Sequence, residues 1–155
     1  MNDKAEKFKE ALQIVKDNGF DPLAVLTHAW HESAGFTRVI GNHNYWGIKT
    51  PKNWQGLVKC VLTHEVIKGK RIEVHAYFID FETLHGALEW YMSLIKRLYP
   101  ESYAHRSDPE QYFKGLVSGK YQYATDPHYL EKLITLYGDL KRIYSVSPSK
   151  NPAEK

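Results

Sequence analysis

Residues 21–35 read DPLAVLTHAWHESAG, and the rest of the chain takes its place around them. Aspartate before proline is a helix-start signal. The Asp21 carboxylate can accept from free backbone N–H groups of the first turn, and Pro22 fits the first helical position because it needs no partner there. Leu23, Ala24, Val25, Leu26, Ala29 and Trp30 then follow almost continuously, and a helix apolar on most sides is a buried one. Ser33-Ala34-Gly35 should stop it, since glycine readily takes the left-handed conformation that ends helices. Glu32 therefore falls in the last turn of a buried helix. The macrodipole there disfavours a second negative charge, and desolvation acts in the same direction. Both raise a carboxyl pKa, as a general acid working near neutral pH requires. The alternative is a glutamate that points outward at the helix end, because structural carboxylates are perturbed as well.

The chain has 155 residues, of which 43% are hydrophobic. That is enough for one folded domain with a real core. Its 11 Tyr, 4 Trp and 6 Phe suit the floor of a sugar cleft, although any single aromatic is more simply a core residue. The net charge of +3 is spread along the chain. It suits an anionic polymer such as a cell wall, and no Lys/Arg block argues for nucleic acid. The lone Cys60 excludes an internal disulfide and reads as a small buried residue of a strand. MNDKAEKFKEAL at the N-terminus has no long apolar core, so it is not a Sec-type signal, and no segment is apolar enough to span a membrane. Action on a wall would then require phage-type release, or a chain trimmed of its export signal.

Residues 3–17 carry apolar residues at helical spacing and read as one amphipathic helix, ended by Asn18-Gly19. After the central helix, Gly35 to Trp54 is irregular yet holds Phe36, Tyr45, Trp46, Ile48 and Trp54, so it should be an ordered, packed loop. Residues 57–67 and 72–81 read as two strands joined by Lys68-Gly69-Lys70-Arg71. Val58, Cys60, Leu62 and His64 fall on one face of the first strand. Lys59, Val61, Thr63 and Glu65 fall on the other, more polar one. Residues 83–98 form a helix closed by Pro100. Asp108-Pro109 opens a short helix through Val117, and Asp126-Pro127 opens another through about Tyr144. The order predicts an α+β domain over 1–145, mostly helical with one β-hairpin, followed by a flexible tail or linker over 146–155.

Glycoside hydrolysis commonly uses two carboxyl groups, one protonated and one ionised, facing each other across the scissile bond. Glu32 suits the first role. Glu65 on the hairpin is the best partner, with Glu73 and Asp80 behind it, while an exposed strand carboxylate is the plain alternative for Glu65. His28 and Glu32 share a helix face, but His-Ala-Trp-His-Glu is not the zincin order, so no metal site is assigned and no cofactor is implied.

Three segments together resemble the endo-β-N-acetylglucosaminidases of glycoside hydrolase family 73, which include flagellar, phage and autolysin peptidoglycan hydrolase domains. Glu32 late in a buried helix resembles the family's catalytic glutamate. Asn44-Tyr45-Trp46-Gly47-Ile48-Lys49 resembles its Asn-Leu-Phe-Gly-Ile-Lys segment. Tyr123-Ala124-Thr125-Asp126-Pro127-His128-Tyr129 matches its Tyr-Ala-Thr-Asp-Pro-x-Tyr segment. The resemblance covers roughly residues 5 to 140. It implies a lysozyme-like fold, a β-hairpin lobe flanking the cleft, and cleavage after N-acetylglucosamine in peptidoglycan glycan strands. Glu32 would be the proton donor, Glu65 the second carboxylate in a mobile hairpin, and Tyr123 a neighbour of the reacting sugar. Asn44, Trp46, Thr125, Asp126 and Tyr129 would bind substrate. His31 before Glu32, and Tyr45-Trp46 in place of Leu-Phe, depart from the family pattern.

These residues lead us to expect a monomer that acts on the wall, in the periplasm or outside the cell, with no nucleic acid or membrane partner. The rivals are a muramidase or lytic transglycosylase of the same broad fold, a silent wall-binding module and, last, a metallopeptidase. A silent module needs aromatics but no paired acids.

Overall fold

The computed structural model describes residues 3–144. Seven helices and two strands run in the order α1 (Asp3–Glu10), α2 (Gln13–Asp17), α3 (Pro22–Glu32), β1 (Val58–Ile67), β2 (Lys70–Ile79), α4 (Leu84–Leu98), α5 (Pro100–Ala104), α6 (Pro109–Ser118) and α7 (Tyr129–Tyr144). This is the expected helix-rich α+β arrangement. The tail expected at 146–155 lies outside the described residues.

The central helix forms as its sequence dictates. Asp21 Oδ1 accepts from the backbone N–H of Leu23 and Ala24 at 2.8 and 3.1 Å, and Pro22 occupies the first turn. Every residue from Ala24 to Ala29 is buried, His28 and Thr27 included. α3 lies against α7, α2 and α6. Full burial of Val25 and Leu26 stabilises the fold by about 1.5–3 kcal/mol each. At the other end, the Gly35 N–H reaches back to the Trp30 carbonyl at 2.9 Å, a Schellman-type closure. Ala34, Gly35 and Phe36 all have positive φ, at 51°, 69° and 68°. For alanine and phenylalanine this is strained, at roughly 1–3 kcal/mol each. The Phe36 ring offsets it. It is 1% exposed and lies 5.2, 5.3 and 4.9 Å from the rings of Phe8, Trp30 and Tyr45. The chain thus turns sharply immediately after Glu32, and aromatic packing holds the turn.

The second strand runs over Lys70–Ile79 where the sequence predicts 72–81, and three helix boundaries also differ from the sequence reading. The helix expected over 3–17 breaks at Ala11-Leu12, where i→i+3 bonds from Ala11 to Phe8 and from Leu12 to Lys9 tighten the chain. Tightening keeps Phe8, Leu12 and Val15 all in the core. Pro100 ends α4 but also opens α5, since proline is tolerated at a first helical turn. Asp126-Pro127-His128 is a turn that precedes α7 rather than its first residues, with Asp126 Oδ1 accepting from the His128 N–H at 2.9 Å.

The hairpin is antiparallel, with Val58 opposite Ile79 and Ile67 opposite Lys70. Its two-residue turn has positive φ at both Lys68 (52°) and Gly69 (79°), the geometry that matches strand twist in type I′ turns. Which face is covered reverses the expectation. Val61 and Thr63, on the Glu65 face, are partly covered, whereas Val58, Cys60 and Leu62 are exposed. Cys60, expected to be buried, is exposed. A two-stranded ribbon has no second layer to bury both faces. This one is tied to the body near its base, by Ile79 N–H to the Ile48 carbonyl (3.1 Å) and Thr50 N–H to the Tyr77 carbonyl (3.0 Å).

Candidate active site

Glu32 is the last residue of α3, with its side chain 22% exposed. One oxygen, Oε2, accepts a hydrogen bond from the Tyr129 hydroxyl at the start of α7. Burial raises its pKa above the usual carboxylate value, and the Tyr129 bond partly opposes that rise. Burial first, and then the nearby Glu32 charge, raise the pKa of the Tyr99 and Tyr123 phenols and hold them protonated. The carboxyl therefore sits in a wall of protonated phenols at the mouth of the helical body.

His28 lies one turn earlier, with Nε2 3.8 Å from Glu32 Oε2. It is not an ionic partner. Complete burial, with His31 adding to it, pushes the imidazole down to about pKa 3, so it is neutral near pH 7. Its nitrogens face two tyrosines, Nδ1 at 2.6 Å from Tyr91 Oη and Nε2 at 3.0 Å from Tyr129 Oη. His31 packs edge-on to Tyr129, ring centres 5.2 Å apart. Burial first and then Lys132 hold it below the usual histidine range, with Asp126 opposing.

The structure brings Glu32, Tyr123 and Tyr129 together. Tyr123 donates to the Trp46 carbonyl at 3.0 Å and packs edge-on to His28 at 4.3 Å. Asn44 and Trp46, read as substrate-binding, are 0% and 2% exposed. The Asn44 amide is spent on the backbone of Ile48 and Ile79, at 2.9 to 3.0 Å. It locks the loop to the base of the hairpin. Trp46 stacks on Tyr91, 4.5 Å apart at 17°, and Tyr91 in turn faces His28. Asp126 is occupied by His128 and by Lys132 Nζ at 2.6 Å, and the Lys132 bond holds its carboxyl below the usual range. Thr125 is exposed.

Glu65 stands apart. It is an exposed residue opposite Ile72, close to the hairpin turn, and makes no side-chain hydrogen bond or ion pair among the described residues. Of its runners-up, Glu73 pairs with His64 at 3.4 Å across the ribbon, and Asp80 accepts from the Asn42 N–H at 2.9 Å. A groove of about 280 Å³ lined by Leu12, Pro22, Leu26 and Tyr137 holds no comparable chemistry. Its one carboxylate, Asp21, already caps α3 and accepts from Tyr137.

Sequence reasoning missed Tyr91, Tyr99 and Tyr112. Tyr91 sits in the apolar stripe of α4 and reads there as core. The signal was its hydroxyl, since a buried tyrosine needs a hydrogen-bond partner.

The fold is that of a glycoside hydrolase domain, and comparison with known proteins gives the family. The family model described as Mannosyl-glycoprotein endo-beta-N-acetylglucosaminidase matches residues 8–142, and the chain belongs to this glucosaminidase family. It is 26% identical over 113 residues to the peptidoglycan hydrolase FlgJ of Pseudomonas aeruginosa, covering 72% of this chain and 28% of that one. It is 32% identical over 105 residues to FlgJ of Escherichia coli K12, covering 66% and 32%. The chain thus spans about a third of the length of these relatives. Among solved structures, a C-terminally truncated glycoside hydrolase domain of Salmonella typhimurium FlgJ superposes with a TM-score of 0.69 at 26% identity, covering 89% of this chain and 98% of that one. The catalytic domain of the Listeria monocytogenes autolysin Auto shares the fold, with a TM-score of 0.70 at 20% identity and coverage of 90% and 85%. The lysozyme-like fold that the family resemblance implies is the one observed. No helix among the described residues is long and apolar enough to cross a membrane.

Proposed function

We propose that residues 1–145 form a peptidoglycan hydrolase domain that cleaves the β-1,4 bond after N-acetylglucosamine, with Glu32 as general acid. The observation that carries this is the state of Glu32. It is a partly exposed carboxyl whose pKa is raised by burial, with one oxygen held by Tyr129 and the other without a protein partner among the described residues. Such a group delivers a proton to a leaving glycosidic oxygen and then survives as a carboxylate in the same hydrogen bond. As the C1–O bond breaks, positive charge builds on the sugar. Water adds its oxygen to C1 and its proton returns to a carboxylate.

Glu65 is the group proposed to face the opposite side of the bond. Its exposed place on a ribbon tied down near the base fits a residue delivered when glycan fills the cleft. It also favours a second reading, in which the substrate's own acetamido oxygen attacks C1 and Glu65 assists. Tyr123 lies beside the reacting sugar and Tyr129 beneath the acid, while the exposed Thr125 flanks the cleft. The substrate is the glycan strand of a bacterial wall, met outside the cytoplasm, and the domain works as a monomer without a cofactor.

The test is a digest of purified peptidoglycan, reduced with borohydride and read by mass spectrometry, with Glu32→Gln alongside. Reduced N-acetylglucosamine ends, absent with the variant, are expected. Reduced muramic ends would make the domain a muramidase, and anhydro-muramic ends a transglycosylase. Binding without any product would leave only a silent wall-binding module.

A further inference from the structure

Behind Glu32 a chain of hydrogen bonds runs through the core to Tyr112 on α6. Tyr112 Oη lies 2.6 Å from Tyr91 Oη, Tyr91 Oη 2.6 Å from His28 Nδ1, and His28 Nε2 3.0 Å from Tyr129 Oη, which bonds Glu32 Oε2. Tyr112, Tyr91 and His28 are each 0% exposed and Tyr129 is 2% exposed. These side chains come from α6, α4, α3 and α7, so most of the helical body converges on one file of polar atoms.

The direction of the file follows from counting hydrogens. A neutral imidazole carries one N–H and each phenol one O–H, which gives four hydrogens for four contacts. With Glu32 ionised, only one assignment fills every contact. Tyr112 donates to Tyr91, Tyr91 to Nδ1, Nε2–H to Tyr129, and Tyr129 to Oε2. The reverse would leave the buried Tyr112 O–H without an acceptor and the carboxylate without a donor, both costly in a dry interior.

We infer that Tyr112, Tyr91 and His28 are positioning residues that fix Tyr129 as a donor to Oε2, reserving Oε1 as the oxygen that carries the acidic proton. The inference deepens the reading of Glu32 as the acid and rests on it. A carboxylic acid free to rotate or to swap its proton between oxygens would spend part of its time with that proton turned into the protein. In the protonated acid the same order is favoured, because the reverse would leave the buried Tyr112 O–H without an acceptor, so Oε2 stays filled by a donor and the proton stays on the oxygen without a protein partner among the described residues. The complete burial that keeps His28 neutral supports this, because an imidazolium would donate at both nitrogens and break the order. The other groups around Glu32 leave it intact. They are His31 on its own helix, Tyr99 at the α4–α5 junction and Tyr123 from the loop before α7, with Lys132 and Asp126 beyond His31.

Two measurements test this. The first is a long-range ¹H–¹⁵N spectrum of the histidine side chains near pH 7, with His28 assigned by its loss in His28→Gln. The expected signature is a proton on Nε2 and an unprotonated Nδ1, and a His28 protonated at Nδ1 overturns the proposal. The second is the pH profile of kcat/KM for Tyr91→Phe, which removes one oxygen and keeps the ring. Weakening the donor chain raises the Glu32 pKa, so activity should persist to higher pH, with the alkaline limb moved up by a few tenths of a pH unit, and by about half a unit or more in His28→Phe. A folded Tyr91→Phe with lower kcat and an unmoved limb would mean that these residues only hold the core together. Should Glu32→Gln keep its activity, it is the assignment of the acid that fails, whichever tautomer His28 shows.

Discussion

The two carboxylates assigned to one reaction live in opposite surroundings. Glu32 ends a helix buried from Ala24 to Ala29, and its oxygen is held by Tyr129. Glu65 stands exposed on a two-stranded ribbon whose outer residues Val58, Leu62 and Val66 are 46%, 51% and 74% exposed. The helical body can fix an acid in place because packing and hydrogen bonds over-determine its position. The ribbon cannot, because only one of its faces meets the body and mainly near its base. On the proposed reading the acid is therefore built in advance, and the second carboxylate depends on where substrate and ribbon meet.

The sharpest way to break this contrast is Glu32→Gln. We expect kcat to fall roughly 10³-fold, about 4 kcal/mol, since a positioned acid contributes on that scale. Stability should move the other way. A carboxyl with a raised folded pKa favours the fold while protonated and loses that advantage as pH rises through the folded value. Replacing it by a neutral amide should thus leave Tm at pH 7 unchanged or higher. A large drop in Tm would show that Glu32 holds the fold rather than serving chemistry. Leu26→Ala removes packing from the same helix and should cost about 2–5 kcal/mol in chemical denaturation. A loss under about 1 kcal/mol would mean that α3 is not the centre of the body.

Glu65→Gln asks how much chemistry the ribbon supplies. We expect kcat to fall about 10- to 100-fold, less than for Glu32→Gln, with Tm unmoved. Equal losses in the two variants would count against participation by the substrate's acetamido group. Tyr129→Phe removes the donor that opposes the rise of the Glu32 pKa. The alkaline limb of kcat/KM should move up by about one pH unit, and kcat should drop about tenfold. A downward move would reverse the sign assigned to that hydrogen bond. The smallest effect is reserved for the ribbon surface. Leu62→Ser should change stability by no more than about 0.5 kcal/mol, whereas a core-like loss would show that the outer face is covered in solution.

Much of the body is legible in the sequence. Asp21-Pro22 and Asp108-Pro109 marked helix starts that the structure keeps, and the apolar run from Leu23 marked the buried helix. Glu32 stood out because a carboxylate there conflicts with its surroundings. The hairpin was harder. Alternation gives two faces but not which one meets the body, and the richer apolar face of β1 is the one left in solvent. Cys60 was misplaced for the same reason. Asn44 is read as a binding residue through its segment's resemblance to the family pattern, and in the structure its amide bonds run to Ile48 and Ile79. Tyr91 and Tyr112 were invisible as site residues. They are far from Glu32 in sequence, and a tyrosine on a core stripe shows its role only when its partner is known.

The most direct measurement is the titration of the Glu32 carboxyl itself, by ¹³C NMR of carboxyl-labelled protein with the signal assigned through Glu32→Gln, set beside the pH profile of kcat/KM on soluble glycan strands. Glu32 should titrate above the ordinary glutamate value of 4.5, and its pKa should coincide with the alkaline limb. A carboxyl that titrates at or below 4.5, with the limb set by some other group, would contradict Glu32 as the buried acid of this domain.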